Sequence, residues 1–506
     1  MKMIRMKERK ECRPMGKPIM LQGTIANVGK SILSVGMCRA FSQDGYQVAP
    51  FCAEGMVTNT YITKDGKEIS KMQAMQSEAA GRLPDSHMNP VLFKPTESMG
   101  SRVIINGEFL GNMTVEEYSG KQREFRKIIL EAYESLAADN DIVVIEGAGS
   151  PVEFENHSAD MANMGLAKKI QSPVLLVGDI DRGGVVAQLF GTLGLFTKTE
   201  KELVKGLFFN KFRGVRETLN PMIELTEKKA KVPVLGIMPY MYASLENESM
   251  INNQFEAEDN TEVIEVVVIK LPHMTDYVDF NPFECLDEVV LKYATNIAEI
   301  GNPDIIMIPD TTRVYTDLMW MRQNGLEARV IQYATKGTAV FGICAGMQML
   351  GAKLDVDGVG QVYGMNLLPI HTAGFGEYET QIVDGTFERV EGVFADLSYV
   401  SFQDGQLENS KIDMVGNCKE LLTVGEYTVG VQKENIYGVA IKNLFCTDEV
   451  LKRAVRAVLK EKGKDVSKLS SVTMEDYKQK SYDRIATLLR ENVDMDMLYD
   501  IIFGKC

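Results

Sequence analysis

The sequence predicts an α/β protein with two domains: an N-terminal doubly wound parallel sheet with a phosphate loop, and a second α/β domain. Its 506 residues suffice for two or three domains of about 150 residues each. Short apolar runs alternate with amphipathic stretches, which is typical of buried parallel strands joined by helices. Glycine-rich turns follow two of these runs, near residues 23 and 344.

The first half contains five apolar runs that predict strands, and a sixth follows them. Amphipathic stretches between the runs predict helices, and this alternation is typical of a doubly wound sheet. The predicted strands are Pro18–Gln22, Gln47–Phe51, Ile142–Ile145, Val174–Val177, Gly206–Phe209 and Val234–Ile237. The predicted helices include Ser31–Asp44, Met72–Gly81 and Gln122–Ala138.

A polar, acidic and asparagine-rich stretch from about Ala243 to Glu262 predicts the domain boundary. We therefore expect a first domain over 1–250, a linker over 251–262, a second domain over 263–455 and a helical extension over 456–506. The second domain begins a new alternation, with predicted strands at Val263–Ile269, Ile305–Ile308 and Val340–Ile343.

Composition excludes several classes of protein. Apolar residues make up 45% and charged residues 25%, as in globular proteins, and the net charge of −15 disfavours a nucleic-acid partner. No stretch approaches the ~20 apolar residues of a membrane span, and the basic start lacks the apolar segment of a signal peptide. Eight scattered cysteines without a Cys-x-x-Cys pair, and only four histidines, disfavour structural zinc. We expect a cytoplasmic enzyme without a membrane partner; no pattern predicts its oligomeric state.

The connection after the first strand has the pattern of a phosphate loop. Backbone N–H groups at a helix N-terminus bind anions, lysine adds a charge, and serine can bind Mg²⁺. The candidates are Gly23, Thr24, Gly29, Lys30 and Ser31. Strict spacing would place the first glycine at Thr24, so a chance match remains the alternative. We expect ATP and Mg²⁺ to bind here.

Glu146 ends the strand Ile142–Ile145 and precedes Gly147 and Gly149. A carboxylate at the carboxyl end of a neighbouring strand can bind Mg²⁺ opposite a phosphate loop. A solvated strand-end glutamate is the alternative.

Cys344 lies in a Gly-x-Cys-x-Gly turn between an apolar strand and a helical stretch. Such a turn exposes a nucleophile, and the following N–H can stabilise an oxyanion. A buried, inert cysteine is the alternative. A nucleophilic cysteine usually has a histidine base, and no histidine follows His371.

These motifs together resemble the cobyric acid synthase family, the glutamine-dependent amidotransferases of cobalamin biosynthesis. The resemblance covers nearly the whole chain. It is carried by Gly23–Ser31, Met72–Gly81, Met88–Pro95, Val144–Pro151, Met161–Ala167, Gly178–Gly184, Asn210–Gly214, Leu271–Pro282, the turn at Cys344 and the tail from Tyr482 to Tyr499.

The resemblance implies a dethiobiotin-synthetase-like ATP domain joined to a class I, triad-type glutamine amidotransferase domain. In this family ATP activates a carboxylate as an acyl phosphate, which ammonia from glutamine then attacks. The implied substrate is a corrinoid polycarboxylate, adenosylcobyrinic acid a,c-diamide, amidated at its b, d, e and g side chains. The nitrogen donor is glutamine or free ammonia.

The N-terminal half departs from the family pattern at two places. Asn27 replaces an aspartate, and Cys52, Glu54 and Gly55 replace lysine, glutamine and asparagine. Loss of that lysine removes a cation suited to a carboxylate or phosphate.

The C-terminal half departs more strongly. Asp310 replaces an oxyanion-loop glycine, and Lys442 occupies the position of the family's catalytic histidine. Because a protonated lysine is a poor base, and losing a general base costs ~10²–10⁴ in rate, we expect weak glutaminase activity from Cys344. Two alternatives remain: a non-catalytic corrinoid-binding paralogue, and a P-loop amidotransferase for another polycarboxylate.

Overall fold

The computed structural model describes residues 15–57, 60–95, 100–152, 160–240, 263–275, 277–356, 359–373, 380–408, 411–464, 466 and 473–504. The residues form two compact units. Unit 1 comprises Met1–Met241 and Lys478–Cys506, and unit 2 comprises Tyr242–Tyr477. The expected linker over 251–262 lies outside the described residues, so the four expected domain limits stay predictions.

Unit 1 is built on the predicted doubly wound sheet, which is confirmed. Its six strands are β1 (Lys17–Gly23), β2 (Val48–Phe51), β9 (Ile142–Glu146), β10 (Val174–Asp179), β11 (Val204–Phe212) and β12 (Val234–Pro239). They are all parallel, in the order β12-β11-β10-β1-β9-β2. All six have four or more consecutive buried residues, because helices cover both faces of the sheet.

Smaller strands of unit 1 lie beside this sheet and were not predicted. They are β3 (Glu54–Met56), β4 (Thr60–Ile62), β5 (Glu68–Ser70), β6 (Val91–Pro95), β7 (Ser101–Ile105) and β8 (Glu108–Met113). Strands β3-β6-β7-β8 form one sheet, and β4 pairs with β5. Strands of three to six residues, in which apolar runs are short or absent, lack the long apolar runs that predict a buried strand.

The helices of unit 1 connect the parallel strands. They are α1 (Lys30–Gln43), α2 (Lys71–Ala79), α3 (Val115–Asp139), α4 (Met164–Ile170), α5 (Val185–Leu195), α6 (Lys198–Leu203) and α7 (Asn220–Ala230). Helix α3 begins earlier than predicted, because Thr114 and Glu117 form a capping box.

Unit 2 contains a ten-stranded sheet that is parallel in one half and antiparallel in the other. Its order is β14-β13-β15-β16-β25-β24-β23-β20-β21-β26, and the steps from β14 to β25 are parallel. Its strands are β13 (Ile264–Ile269), β14 (Val289–Ala294), β15 (Ile305–Ile308), β16 (Ala339–Ile343), β20 (Thr380–Phe387), β21 (Ser401–Glu408), β23 (Lys419–Val424), β24 (Tyr427–Lys433), β25 (Ile436–Val439) and β26 (Ile441–Lys442). The parallel half contains the three predicted strands.

The remaining elements of unit 2 flank this sheet. A small sheet contains β17 (Lys353–Val356), β18 (Gly360–Tyr363), β19 (Ile370–Ala373) and β22 (Lys411–Met414). The helices are α8 (Asn281–Glu284), α9 (Val314–Gln323), α10 (Leu326–Thr335), α11 (Ala345–Leu350) and α12 (Asp448–Glu461).

The chain ends in two helices, α13 (Met474–Asn492) and α14 (Met495–Phe503). The Tyr482 hydroxyl donates a hydrogen bond to Glu78, and Arg490 pairs with Asp44, so this part of the tail contacts α2 and the end of α1. Among the helices of the described residues, none is both long and apolar enough to cross a membrane.

Candidate active sites

The predicted phosphate loop connects the end of β1 at Gly23 with the start of α1 at Lys30. Gly29 has a φ of 95°, and a Cβ there would lie 2.2 Å from the Asn210 side-chain nitrogen. That nitrogen donates to the carbonyl of Val28 at 2.7 Å. The loop therefore requires glycine at 29 for both its backbone conformation and the space beside it.

Lys30 is 6% exposed, and its Nζ donates to the Gly149 carbonyl at 3.0 Å. This contact joins the loop to the glycine turn that follows Glu146, the last residue of β9. Thr24 donates from its hydroxyl to Gln188 at 3.1 Å. The backbone turn and its lysine form a preorganised cradle of the kind that binds phosphate.

Ser31 and Glu146 lie together at the carboxyl edge of the sheet. The Ser31 hydroxyl donates to Glu146 Oε1 at 2.5 Å, and Gln76 Nε2 donates to Glu146 Oε2 at 2.7 Å. Gln76 was missed as a site residue, although it lies in the stretch Met72–Gly81 that resembles the family. One hydroxyl and one carboxylate match the chemistry of Mg²⁺ sites, where phosphates and waters complete the coordination.

An ion pair between residues of β10 and β11 holds the phosphate loop in place. Asp179, fully buried at the end of β10, pairs with Lys211 Nζ at 3.0 Å. The same Nζ donates to the carbonyl of Asn27 at 2.6 Å, and Asn27 has a φ of 58°. The stretch Gly178–Gly184 was identified through its resemblance to the family, but the pairing was missed because it joins residues 32 positions apart.

The altered stretch at Cys52 follows β2, whose last residue, Phe51, pairs with Ile145 next to Glu146. Burial raises the pKa of the Cys52 thiol, and the Glu146 carboxylate raises it further, whereas Lys30 lowers it. Burial also raises the pKa of Glu54, although the Tyr118 hydroxyl donates to its carboxylate. Cys52 is therefore a neutral thiol beside the Lys30 and Glu146 charges.

Cys344 forms the predicted sharp turn between β16 and α11. Its φ of 48° and ψ of −109° are unusual for a non-glycine residue, and its N–H donates to the Val439 carbonyl at 2.7 Å. A Cβ on Gly346 would lie 2.1 Å from the Ile308 carbonyl oxygen, so the second glycine is required for close packing against β15.

Asp310 and Lys442 meet beside this turn. Asp310 Oδ1 accepts from the Ala345 N–H at 3.1 Å, and Oδ2 lies 2.5 Å from Lys442 Nζ. Asp310 Oδ2 also accepts from the Thr275 hydroxyl at 2.9 Å. Asp310 is 8% exposed and Lys442 is 6% exposed, so the ion pair is buried.

A second pair at the same edge of the sheet was not predicted. His273 follows β13, and its Nδ1 lies 2.7 Å from Asp317 Oδ1. Asp317 is fully buried and also accepts from the Thr311 hydroxyl at 2.5 Å. The pair fixes the segment around Thr311, next to Asp310.

Comparison with known proteins gives two domain matches that agree with the two units. Residues 19–253 match the CobQ/CobB/MinD/ParA nucleotide binding domain, and residues 265–396 match the CobB/CobQ-like glutamine amidotransferase domain.

Full-length relatives agree with the domain matches. The chain is 42% identical to the cobyric acid synthase of Ruminiclostridium cellulolyticum, with 96% of this chain and 97% of that protein covered. It is 37% identical to the cobyric acid synthase of Lachnoclostridium phytofermentans, with 96% and 99% covered. It is 36% identical to the enzyme of that name from Clostridium novyi, with 96% and 98% covered. The chain therefore belongs to the cobyric acid synthase family.

Proposed function

We propose that this chain is an ATP-dependent carbon–nitrogen ligase that amidates side-chain carboxylates of a corrinoid in cobalamin biosynthesis. The observation that carries the proposal is the grouping of Lys30, Ser31 and Glu146 around a phosphate loop, in a chain of this family. The proposed substrate is cobyrinic acid a,c-diamide in its adenosylated form, with its b, d, e and g carboxylates as acceptors.

The loop residues have separate roles in binding ATP. Backbone N–H groups of the loop after Thr24, up to Gly29, and of the N-terminus of α1 would face the phosphates, and Lys30 would add a positive charge. Ser31 and Glu146 would hold Mg²⁺, which supplies charge neutralisation on the phosphates. Gln76 orients the Glu146 carboxylate through its hydrogen bond.

The reaction requires activation because a carboxylate is a poor electrophile. The γ-phosphoryl group of ATP passes to a carboxylate oxygen, giving an acyl phosphate and ADP. The nitrogen lone pair of ammonia attacks the acyl carbon, the bond to the phosphate oxygen breaks, and inorganic phosphate and a proton leave. Lys30 stabilises the charge that develops on the transferred phosphoryl group.

We place the corrinoid carboxylate beside Cys52–Gly55, because this stretch follows Phe51, which pairs with Ile145 next to Glu146. The six cysteines in the described part of the chain form no disulfide, which supports a reducing compartment such as the cytoplasm.

A second candidate function is a P-loop amidotransferase for another polycarboxylate. The observation that favours it is the same altered stretch, where a neutral Cys52 and an acidic Glu54 replace residues suited to binding a corrinoid carboxylate. The retained Lys30, Ser31 and Glu146 argue against the third reading, a non-catalytic paralogue.

The rate of ADP formation separates these functions. We expect cobyrinic acid a,c-diamide with ammonium to stimulate ADP formation, and simple polycarboxylates such as citrate to leave it at its basal rate. Stimulation by another polycarboxylate but not by the diamide would favour the second function. No stimulation by either, with binding of the diamide intact, would favour the non-catalytic paralogue.

A further inference from the structure

The inference concerns the backbone N–H that follows the candidate nucleophile. In a strand–turn–helix elbow, the N–H of the residue after the nucleophile stabilises the oxyanion of the tetrahedral intermediate. In this chain that group is the N–H of Ala345, and it donates to Asp310 Oδ1 at 3.1 Å. An acidic side chain of the same unit therefore occupies the position where the oxyanion would bind.

The carboxylate of Asp310 is anchored from three sides. Besides Ala345, it accepts from the Thr275 hydroxyl at 2.9 Å and faces Lys442 Nζ at 2.5 Å. Both members of the ion pair are buried, and breaking a buried pair by removing one partner strongly destabilises a protein. The pair is therefore a fixed part of the fold at this edge of the sheet.

This arrangement opposes hydrolysis of an amide in two ways. A developing oxyanion would lie beside the negative charge of Asp310 and would have to compete with it for the Ala345 N–H. Lysine in its ammonium form has three donors and no acceptor, so Lys442 in an ion pair cannot take a proton from the Cys344 thiol.

We propose that the Asp310–Lys442 ion pair closes the oxyanion site of unit 2, so that glutamine is not hydrolysed at Cys344 and free ammonia is the nitrogen donor. This inference rests on the proposed amidation in unit 1 and names its second substrate. Ammonium loses a proton to water or buffer, and the ammonia formed attacks the acyl phosphate and releases inorganic phosphate.

The first test measures glutamate and amide formation by the full-length chain in one preparation. With cobyrinic acid a,c-diamide, MgATP and ammonium, we expect amide formation. With glutamine in place of ammonium, we expect glutamate formation at least about 100-fold slower than that amidation, which is the order of effect of losing one oxyanion donor. The assay is run with and without the diamide, so that opening of the ion pair by substrate is detected.

The outcomes separate the two proposals. Glutamate formation at a rate comparable to amidation, in either condition, would overturn the closed oxyanion site and leave the proposed function standing. No amide from either donor would overturn the proposed function, and with it the assignment of ammonia.

The second test removes the Asp310–Lys442 ion pair from the oxyanion site. The double variant Asp310→Gly, Lys442→His removes both buried charges together and frees the Ala345 N–H. Because a diazoketone analogue of glutamine needs both the thiol and an oxyanion donor, we expect it to alkylate Cys344 about tenfold faster or more in this variant than in the native chain.

Two further variants keep this test decisive. Asp287→Gly, at an exposed position of the same unit, should be alkylated at the native rate. If thermal unfolding shows that the first double variant does not fold, Asp310→Ala with Lys442→Met removes both charges and also frees the Ala345 N–H. Equal alkylation of the native chain and a folded double variant would overturn the inference.

Discussion

At the scale of single residues, we expect nucleotide chemistry to depend most on the side chain of Lys30. Its buried Nζ lies between the loop and the turn after β9, where it can reach a phosphate. We expect Lys30→Ala to lower the rate of ATP-dependent amidation by about 10²–10³, the usual cost of one charge-stabilising donor. Steady-state rates with MgATP measure the effect.

The control is Lys64→Ala, which removes an exposed lysine of the same unit. It should keep the native rate and the native thermal unfolding temperature. A Lys30→Ala variant that turns over as fast as this control would contradict the phosphate-loop assignment.

Glu146 is the second residue to test, because its expected contact with Mg²⁺ can be measured separately from ATP binding. Glu146→Gln keeps the shape and the hydrogen bond from Ser31 but removes the charge that would face Mg²⁺. We expect the Mg²⁺ concentration for half-maximal activity to rise about tenfold or more. Titration of the amidation rate with Mg²⁺ measures this, and Glu134→Gln on the exposed side of α3 is the control. An unchanged Mg²⁺ requirement would place the metal elsewhere.

At the scale of elements, the phosphate loop can be tested through its backbone. Gly29 and Gly45 both have positive φ, at 95° and 90°, but a Cβ meets Asn210 at 2.2 Å only at Gly29. We expect Gly29→Ala to abolish ATP binding in calorimetry, because the loop must shift. Gly45→Ala should bind ATP normally and lose only about 1 kcal/mol of stability from its backbone conformation. Equal ATP affinity in both variants would contradict this account of the loop.

Helix α6 supplies a pH-dependent prediction about stability. Burial alone would raise the pKa of Glu200, but hydrogen bonds from Lys168 and Thr197 lower it to about 2. The stabilisation is therefore present at neutral pH and is lost as the pH falls from about 4.5 towards 2. We expect Glu200→Gln to lower the free energy of unfolding at pH 7 by about 1–2 kcal/mol, because solvent screens the partly exposed Lys168 and the amide oxygen still accepts from Thr197.

Urea denaturation at pH 7 and at pH 3.5 checks this sign. The difference between native and Glu200→Gln proteins should shrink at the lower pH, whereas Glu202→Gln, exposed on the same helix, should change little at either. A difference that grows on acidification would show that Glu200 is not stabilised as a carboxylate.

The elements that could be predicted from the sequence are those whose own residues form a recognisable hydrophobic pattern. The strands of the parallel sheets are continuous apolar runs, so Ile305–Ile308 was predicted to the residue. Strands such as β21, which reads Ser401–Glu408, are polar and contain glycine, and their pairing depends on partners distant in sequence. The antiparallel half of the unit 2 sheet could therefore not be predicted from local patterns.

At the scale of the whole molecule, the residues of the two sites likewise divide into those with a local sequence motif and those placed by contacts between distant residues. Lys30, Ser31 and Cys344 each stand in a local motif, and Glu146 ends a recognisable strand, so the sequence identified them as candidates. The contact of Asp310 with the Ala345 N–H joins residues 35 positions apart, and no local pattern predicts which atom the carboxylate faces. The sequence showed that Asp310 replaces an oxyanion-loop glycine, and the structure adds that its carboxylate accepts from the Ala345 N–H.

The chain thus groups Lys30, Ser31 and Glu146 at the predicted phosphate loop of unit 1 and carries a buried ion pair at the elbow of unit 2. The most direct measurement is mass spectrometry of the corrinoid after incubation of the full-length chain with cobyrinic acid a,c-diamide, MgATP and ¹⁵N-ammonium. The account predicts successive ¹⁵N-amides, with one ADP formed for each amide. ADP formation without any ¹⁵N in the corrinoid, or no reaction in a folded chain that binds ATP, would contradict it.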